Sequence, residues 1–188
     1  MKELSNSPAS TRALKPETLG RADGIIAQYP QKRSATMPLL HLIQEDRGHI
    51  TQEDMKWVAE KVEVTPMQVL EVVTFYPMFR QNPIGRRHVR VCRTLSCALR
   101  GSYSLMESLE KSLNCPRGET SPDGDFTLEF VECIADCGCG PVVHVDASMH
   151  ENVKPEDAGK FAAQLKATLK DPSYGLNPPV PGTPEWNG

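Results

Sequence analysis

The sequence has no long apolar run and no strong excess of charge of either sign. Its 188 residues include 21 basic and 24 acidic side chains, for a formal net charge of −3 at pH 7. A membrane-spanning helix needs about 20 mostly apolar residues in a row, and a nucleic-acid-binding surface needs clustered positive charge. We therefore expect neither direct insertion into a membrane nor a nucleic-acid partner.

Several motifs of common enzyme classes are also missing. The chain contains no G-x-G-x-x-G, no P-loop, no G-x-S-x-G and no C-x-x-C. These absences argue against a dinucleotide or flavin site, against a nucleophilic hydrolase, and against a dithiol oxidoreductase, which needs a reactive C-x-x-C. We expect no catalytic residue on this chain. If it carries electrons, it has to take them from another subunit.

The first residues, M-K-E-L-S-N-S-P-A-S, lack the apolar core of a secretory signal. The expected location is therefore cytoplasmic, where structural disulfides are rare. The chain has six cysteines. Thiols in a reducing compartment more often bind metal or take part in redox chemistry.

The first half of the chain predicts a helical bundle over residues 16–82, after a disordered segment over 1–15. Apolar periodicity indicates helices over 19–28 and 37–44 and after Thr51. The sequence T-Q-E-D at 51–54 resembles a capping box. Thr65 followed by Pro66 suits an N-cap and a first-turn proline, and that helix is expected to stop near Pro77.

The second half, residues 83–170, predicts strands and helices in the order β-α-β-β-α, so the fold class is α+β. Strands are predicted at 88–92, 126–130 and 142–146, and a last helix at 156–169. The β-α-β start favours a parallel pair, and the two strands that follow favour a hairpin. The first helix is expected to bury one face with Leu99, Met106, Leu109 and Leu113. Residues 171–188 contain five prolines and predict an extended tail, with Tyr174 and Trp186 as candidate anchors on a partner.

Four cysteines follow these strands in two pairs. Cys92 and Cys97 form a C-x4-C pair, and Cys133 and Cys137 form a C-x3-C pair. Loops at strand ends hold ligands in place, so the two pairs are candidates for one site of four thiolates. Such a set suits an iron–sulfur cluster or tetrahedral zinc.

The spacing favours a [2Fe–2S] cluster. Structural zinc sites mostly use tighter pairs, whereas each pair in a two-iron cluster holds a different iron. A zinc-stabilised structural module and thiols without metal remain alternatives at this point. Glycines around the second pair allow close backbone approach, and Thr94 and Ser96 are candidate donors to sulfur. Cys115 and Cys139 are expected to be bystanders.

Longer motifs resemble a known family. They are A-Q-Y-P at 27–30, P-L-L-H-L-I-Q-E at 38–45, E-V-V-T-F-Y-P-M-F at 71–79, V-C-R-T-L-S-C-A-L-R-G at 91–101 and V-E-C-I-A-D-C-G-C-G-P at 131–141. Together they resemble the thioredoxin-like [2Fe–2S] ferredoxin subunit of NADH-quinone oxidoreductase, respiratory complex I, which in bacteria is called the E-type subunit. The resemblance covers about residues 18–170.

The resemblance implies a thioredoxin-like [2Fe–2S] ferredoxin domain at 83–170, with a cluster held by Cys92, Cys97, Cys133 and Cys137. It also implies electron exchange with the flavin of an NADH-binding partner subunit, contacts with other subunits, and a cytoplasmic position peripheral to the inner membrane through the complex. Related subunits serve NAD-linked formate dehydrogenases and hydrogenases, which are the alternative function.

The second cysteine segment departs from the family pattern C-L-G-A-C-x-x-A-P. Ala135 and Asp136 stand in place of Gly and Ala, and Gly140 stands in place of Ala. Cys139 occupies a position that normally has no thiol. Asp136 introduces a negative charge beside the expected cluster, which predicts a lowered reduction potential if its carboxylate points inward.

Overall fold

The computed structural model describes residues 14–169. This part of the chain divides into two compact units between Pro83 and Ile84. The expectations for the first 13 residues and for the proline-rich tail, including Tyr174 and Trp186, lie outside the described residues.

The first unit contains four α-helices, as the apolar periodicity predicts. They are α1 (Pro16–Ala27), α2 (Thr36–Arg47), α3 (Gln52–Val62) and α4 (Pro66–Phe75). Capping boxes begin α3, through Thr51 and Asp54, and α4, through Thr65 and Gln68. These boxes satisfy backbone N–H groups that a helix start otherwise leaves without a partner.

The helices of the first unit enclose their own apolar core. Gln44 on α2 fixes the chain after α4, because its side chain donates to Met78 O at 2.9 Å and accepts from Arg80 N at 2.8 Å. The largest fully buried apolar side chains of this unit are Leu39, Leu40, Ile43, Ile50, Val58 and Val62.

The second unit is built on a five-stranded sheet with the order β2-β3-β1-β4-β5. Strands β1 and β3 are parallel, as the β-α-β pattern predicts, and the other pairs are antiparallel. The strands are β1 (Arg87–Cys92), β2 (Glu119–Thr120), β3 (Phe126–Val131), β4 (Val143–Val145) and β5 (Ser148–His150). The helices are α5 (Leu95–Leu99), α6 (Ser102–Leu113) and α7 (Ala158–Ala167).

Two expectations about this unit were wrong. The strand β4 pairs with β1 rather than forming a hairpin with β3, and the hairpin is formed by β4 and β5. The chain between β3 and β4 carries the second cysteine pair, and it brings β4 to the side of β1 opposite β3. Leu99 does not join the buried helix face, because Gly101 at φ +95° separates α5 from α6 and leaves Leu99 79% exposed.

The core of the second unit positions the cysteines at one end of β1. Val89 and Val91 point into the core that α6 and α7 share with the sheet. Because side chains alternate along a strand, His88, Arg90 and Cys92 point to the opposite face. Core side chains from the helices include Leu105, Met106, Leu109, Phe161 and Leu165.

None of the helices within residues 14–169 combines the length and the apolar character that crossing a membrane requires.

Candidate metal centre

The parallel pairing of β1 and β3 brings the two cysteine segments to one edge of the sheet. Cys92 is the last residue of β1 and lies opposite Val131, the last residue of β3, with Cys133 two residues further on. Carboxyl ends of parallel strands meet at the same edge, which is where such sheets place ligands. The first cysteine of each pair therefore starts from neighbouring strand ends.

The first pair is buried. Cys92 is 1% exposed, and Cys97, which lies in α5, is 2% exposed. Cys92 Sγ lies 3.2 Å from Thr94 Oγ1. Cys92, Cys97, Val142 and the partly buried Ile134 form a small apolar cluster of their own. This apolar shell keeps water from the inner side of the site.

The second pair is exposed and held close together. Cys133 Sγ and Cys137 Sγ are 3.5 Å apart. Two thiolates bound to one tetrahedral metal ion at about 2.3 Å are separated by about 3.8 Å, so this pair fits one metal ion. Ala135 has a φ of +68°, and its backbone N–H donates to Cys133 Sγ at 3.3 Å.

The segment that follows the second pair approaches Cys97 of the first pair at Gly140. A Cβ atom on this residue would lie 3.1 Å from Cys97 Sγ and 3.4 Å from Cys97 Cα. The close approach of the Gly140 backbone therefore depends on the missing side chain. Thr94 also bears on both pairs. Its Oγ1 atom lies 3.2 Å from Cys92 Sγ, and its side chain, after the Ala135 backbone and Cys137, contributes to the lowered pKa of Cys133.

The surroundings favour ionisation of one thiol in each pair. Burial raises the pKa of Cys92, but the hydrogen-bonding surroundings of Thr94, Cys97 and the Ile134 backbone together outweigh it, so the pKa lies below the ordinary value. The backbone N–H of Ala135 lowers the pKa of Cys133. Metal ions bind thiolates, so both thiols are prepared for a metal.

The other thiol of each pair is shifted in the opposite direction. Burial raises the pKa of Cys97, and the neighbouring Cys133 raises the pKa of Cys137. Once one thiolate is present, its close partner resists a second negative charge. A bound cation relieves this repulsion, so the donor set as a whole fits a metal group.

The remaining cysteines lie apart from these four. Cys115 is buried in the core of the second unit, where its Sγ contacts Glu119 O at 3.4 Å and Phe126 O at 3.5 Å. Cys139 instead faces Asp136 and Glu151, and the three ligand atoms lie within 4.8 Å of one another. The charge of Asp136 raises the pKa of Cys139.

One residue at the site was not found by sequence reasoning. Arg100 Nη1 donates to Gly138 O at 2.7 Å and to Gly140 O at 3.3 Å. Its partners are backbone carbonyls 38 and 40 residues further along the chain. Contacts over this separation are not predicted by any local sequence pattern. Of the two candidate donors, Thr94 places its Oγ1 atom 3.2 Å from Cys92 Sγ, and the role of Ser96 stays a prediction.

The sequence profile of the thioredoxin-like [2Fe–2S] ferredoxin family matches residues 22–166. The chain belongs to this family. Its cofactor is therefore a [2Fe–2S] cluster, and the zinc alternative is set aside. The match begins in the helical unit, so it covers most of both units.

Similar proteins of known name indicate which type of family member the chain is. The chain is 41% identical over 141 residues to the E-type subunit 2 of NADH-quinone oxidoreductase from Rhizobium meliloti (strain 1021), covering 75% of this chain and 82% of that protein. It is 39% identical over 165 residues to the E-type subunit of NADH-quinone oxidoreductase from Rickettsia prowazekii (strain Madrid E), covering 85% of this chain and 92% of that protein. These relatives confirm the resemblance to the E-type subunit. They also confirm that the chain belongs with the subunits of an oxidoreductase complex.

A solved structure shares the fold. The chain resembles a chain of an NAD+-reducing [NiFe]-hydrogenase in its air-oxidised state, with a TM-score of 0.60 at 13% identity. The similarity covers 72% of this chain and 23% of that chain. At this identity the likeness concerns the fold alone.

Replacement of Asp136 tests how a nearby charge affects the reduction potential of the cluster. Its Oδ2 atom is buried and has no hydrogen-bond partner among the described residues. Asp136→Asn is expected to raise the reduction potential by on the order of tens of millivolts, because removing a nearby negative charge favours adding an electron. A redox titration followed by EPR measures the shift. Asp123→Asn, in the turn before β3, is the control, and an unchanged potential in Asp136→Asn contradicts the prediction.

Proposed function

We propose that this chain is the electron-transfer subunit of the NADH-oxidising module of an NADH:quinone oxidoreductase. In this proposal it carries one [2Fe–2S] cluster and exchanges single electrons with the flavin of a partner subunit. Cys92, Cys97, Cys133 and Cys137 are the ligands. The observation that carries the proposal is the convergence of these four thiols at one sheet edge, in a chain whose curated relatives are E-type subunits of this complex.

The chain's own residues supply the surroundings of the cluster, while the cluster supplies reversible one-electron chemistry. Thr94 and the backbone N–H of Ala135 hydrogen-bond to sulfur and stabilise negative charge there. The apolar shell around Cys92 and Cys97 excludes water from the inner side. None of these residues binds a substrate in the proposed mechanism.

The exposure of the second pair supports a route for electron exchange on that side of the site. Cys133 and Cys137 are exposed, whereas Cys92 and Cys97 are buried. An electron therefore has its shortest path through the side of the site that carries Cys133 and Cys137. Leu95 and Leu99 on α5 are 74% and 79% exposed, and because they lie one helical turn apart they offer a continuous apolar surface to a partner. We assign this side to the flavin-containing partner.

The domain organisation belongs to the same proposal. Residues 16–82 form a helical subdomain that offers docking surface to other subunits, and residues 83–170 form the cluster-binding domain. The location is cytoplasmic, at the periphery of the inner membrane through the complex. The alternative is the equivalent subunit of an NAD-linked formate dehydrogenase or hydrogenase, and a chain of an NAD+-reducing hydrogenase shares the fold.

Analysis of the anaerobically purified chain tests the cofactor. We expect two irons and two acid-labile sulfides per chain, visible absorption that bleaches with dithionite, and a spin-half EPR signal after reduction. Addition of NADH alone is expected to leave the cluster oxidised, and addition of NADH with the flavin-containing subunit is expected to reduce it. A colourless protein with one zinc contradicts the proposal. Reduction only in the presence of a hydrogenase or formate dehydrogenase partner supports the alternative.

A further inference from the structure

Arg100 connects the two cysteine segments. It follows directly after α5, the helix that carries Cys97, and its backbone N–H donates to Cys97 O at 3.1 Å. Its guanidinium then reaches the turn after Cys137, where Nη1 donates to Gly138 O at 2.7 Å and to Gly140 O at 3.3 Å. Arg100 is thus hydrogen-bonded both to Cys97 of the first cysteine pair and to the turn that follows the second cysteine pair.

The contact made by Arg100 lies where the two segments touch. A Cβ on Gly140 would lie 3.1 Å from Cys97 Sγ and 3.6 Å from Arg100 Cδ. The open face of Gly140, where a side chain would stand, therefore packs against both the Cys97 thiol and the Arg100 side chain. Movement of the turn away from Arg100 would also open the gap between Cys97 and the second segment.

The segments that carry Cys92 and Cys133 are joined by an ion pair between side chains. There Arg93 Nε donates to Glu132 Oε1 at 2.8 Å, with side chains that are 51% and 69% exposed. Exposed ion pairs of this kind contribute little to stability. The backbone already fixes these segments, because Arg93 N–H donates to Val131 O at 3.0 Å and continues the pairing of β1 with β3. That pairing does not reach the segment around Cys97.

We propose that Arg100 is a positioning residue for the [2Fe–2S] cluster. It holds the turn over residues 137–140 against Cys97, and its guanidinium places a positive charge beside the cluster. Charged donors make stronger hydrogen bonds to carbonyls than neutral donors do. Residues that orient the ligands of a metal site typically change metal affinity by about 10–100-fold when they are replaced. The inference rests on the ligand set of the proposed function.

The test compares Arg100→Met with Arg93→Met in the cluster-loaded protein. The two variants lose the same charge from the same pair of segments, so Arg93→Met is the matched control. Iron release to a chelator is followed by the loss of visible absorption, and the reduction potential by EPR titration. We expect Arg100→Met to release iron about tenfold faster than the unmodified protein and to have a lower potential. We expect Arg93→Met to release iron within about twofold of the unmodified protein.

Arg100→Lys separates charge from geometry. It keeps the positive charge but loses the planar guanidinium, so it is expected to retain the potential and to release iron at an intermediate rate. Arg100→Gln provides a second neutral variant if Arg100→Met folds poorly, as judged by far-UV circular dichroism. If the reduction potential of Arg100→Lys is as low as that of Arg100→Met, the proposed effect of the positive charge on the cluster is overturned.

The outcomes distinguish this inference from the proposed function. An unmodified chain that contains no [2Fe–2S] cluster contradicts the proposed function. An unmodified chain that carries the cluster, together with an Arg100→Met variant that releases iron at the same rate, overturns the positioning role alone. Equal effects of Arg100→Met and Arg93→Met on both measurements also overturn it, because a general loss of positive charge would then be sufficient.

Discussion

Cys92→Ala is expected to abolish the [2Fe–2S] cluster. Cys92 is buried at the end of β1, where Thr94 favours its ionised form. Alanine leaves three thiols and an unfilled iron coordination site that the apolar shell shields from water. Iron and sulfide per chain are expected to fall by about tenfold or more. The measurement is metal and sulfide analysis, with the EPR signal after dithionite.

Two matched variants define the ligand set. Cys115→Ser keeps a donor near Glu119 O and Phe126 O in the core, so the cluster content is expected to stay unchanged. Cys139→Ser is expected to behave in the same way, because Cys139 faces Asp136 and Glu151. Loss of the cluster in Cys139→Ser, combined with a normal cluster content in Cys137→Ala, contradicts the assignment of Cys137 as a ligand.

Gly85→Ala is expected to destabilise the second unit severely. A Cβ on Gly85 would lie 2.7 Å from Phe126 C and 2.8 Å from Phe126 N. These atoms belong to the backbone of β3, so they cannot move away from the added methyl group without disturbing the sheet. The Gly85 N–H also donates to Thr127 Oγ1 at 2.7 Å. We expect a loss of about 3 kcal/mol and a decrease in melting temperature of roughly 10 °C.

Gly159→Ala provides the control for this substitution. Gly159 lies in α7 of the same unit, and a Cβ there would have no atom within 4 Å. Alanine is favoured over glycine in a helix by about 0.5–1 kcal/mol, so this variant is expected to be slightly more stable than the unmodified protein. Thermal unfolding of both apoproteins measures the difference. A melting temperature for Gly85→Ala equal to that of Gly159→Ala contradicts the close packing described for Gly85.

Local patterns in the sequence predicted the elements of the fold well. Thr51 and Thr65 begin helices at the predicted positions because a cap requires only the residues within the first turn. The strand at 88–92 alternates because Val89 and Val91 enter the apolar core of the second unit, whereas His88 and Arg90 lie on the other face. The β-α-β order predicted the parallel pair because right-handed crossovers are nearly universal in such units.

Pairing between distant segments was predicted less well. The partner of β4 depends on where the chain arrives after the cysteine-containing loop, and adjacency in sequence favoured the wrong neighbour. Strands β2 and β5 were missed, because two- and three-residue strands show too little alternation to be recognised. Leu99 was assigned to a buried face because the break at Gly101 was not recognised from the helical spacing alone.

The family and its cofactor could be predicted from the order of residues, and the ligand set of four cysteines stays a prediction. The spacing of four cysteines indicated a site of four thiolates, and the longer motifs around them indicated the family, which the family match confirms. This information is local, because the two cysteines of each pair and the glycines beside them lie within a few residues of one another in the sequence. Which thiols are buried and which are exposed became known only from the folded chain. The same is true of the contact by which Arg100 and Gly140 join segments 40 residues apart, because contacts between backbone carbonyls and distant side chains leave no periodic trace in a sequence.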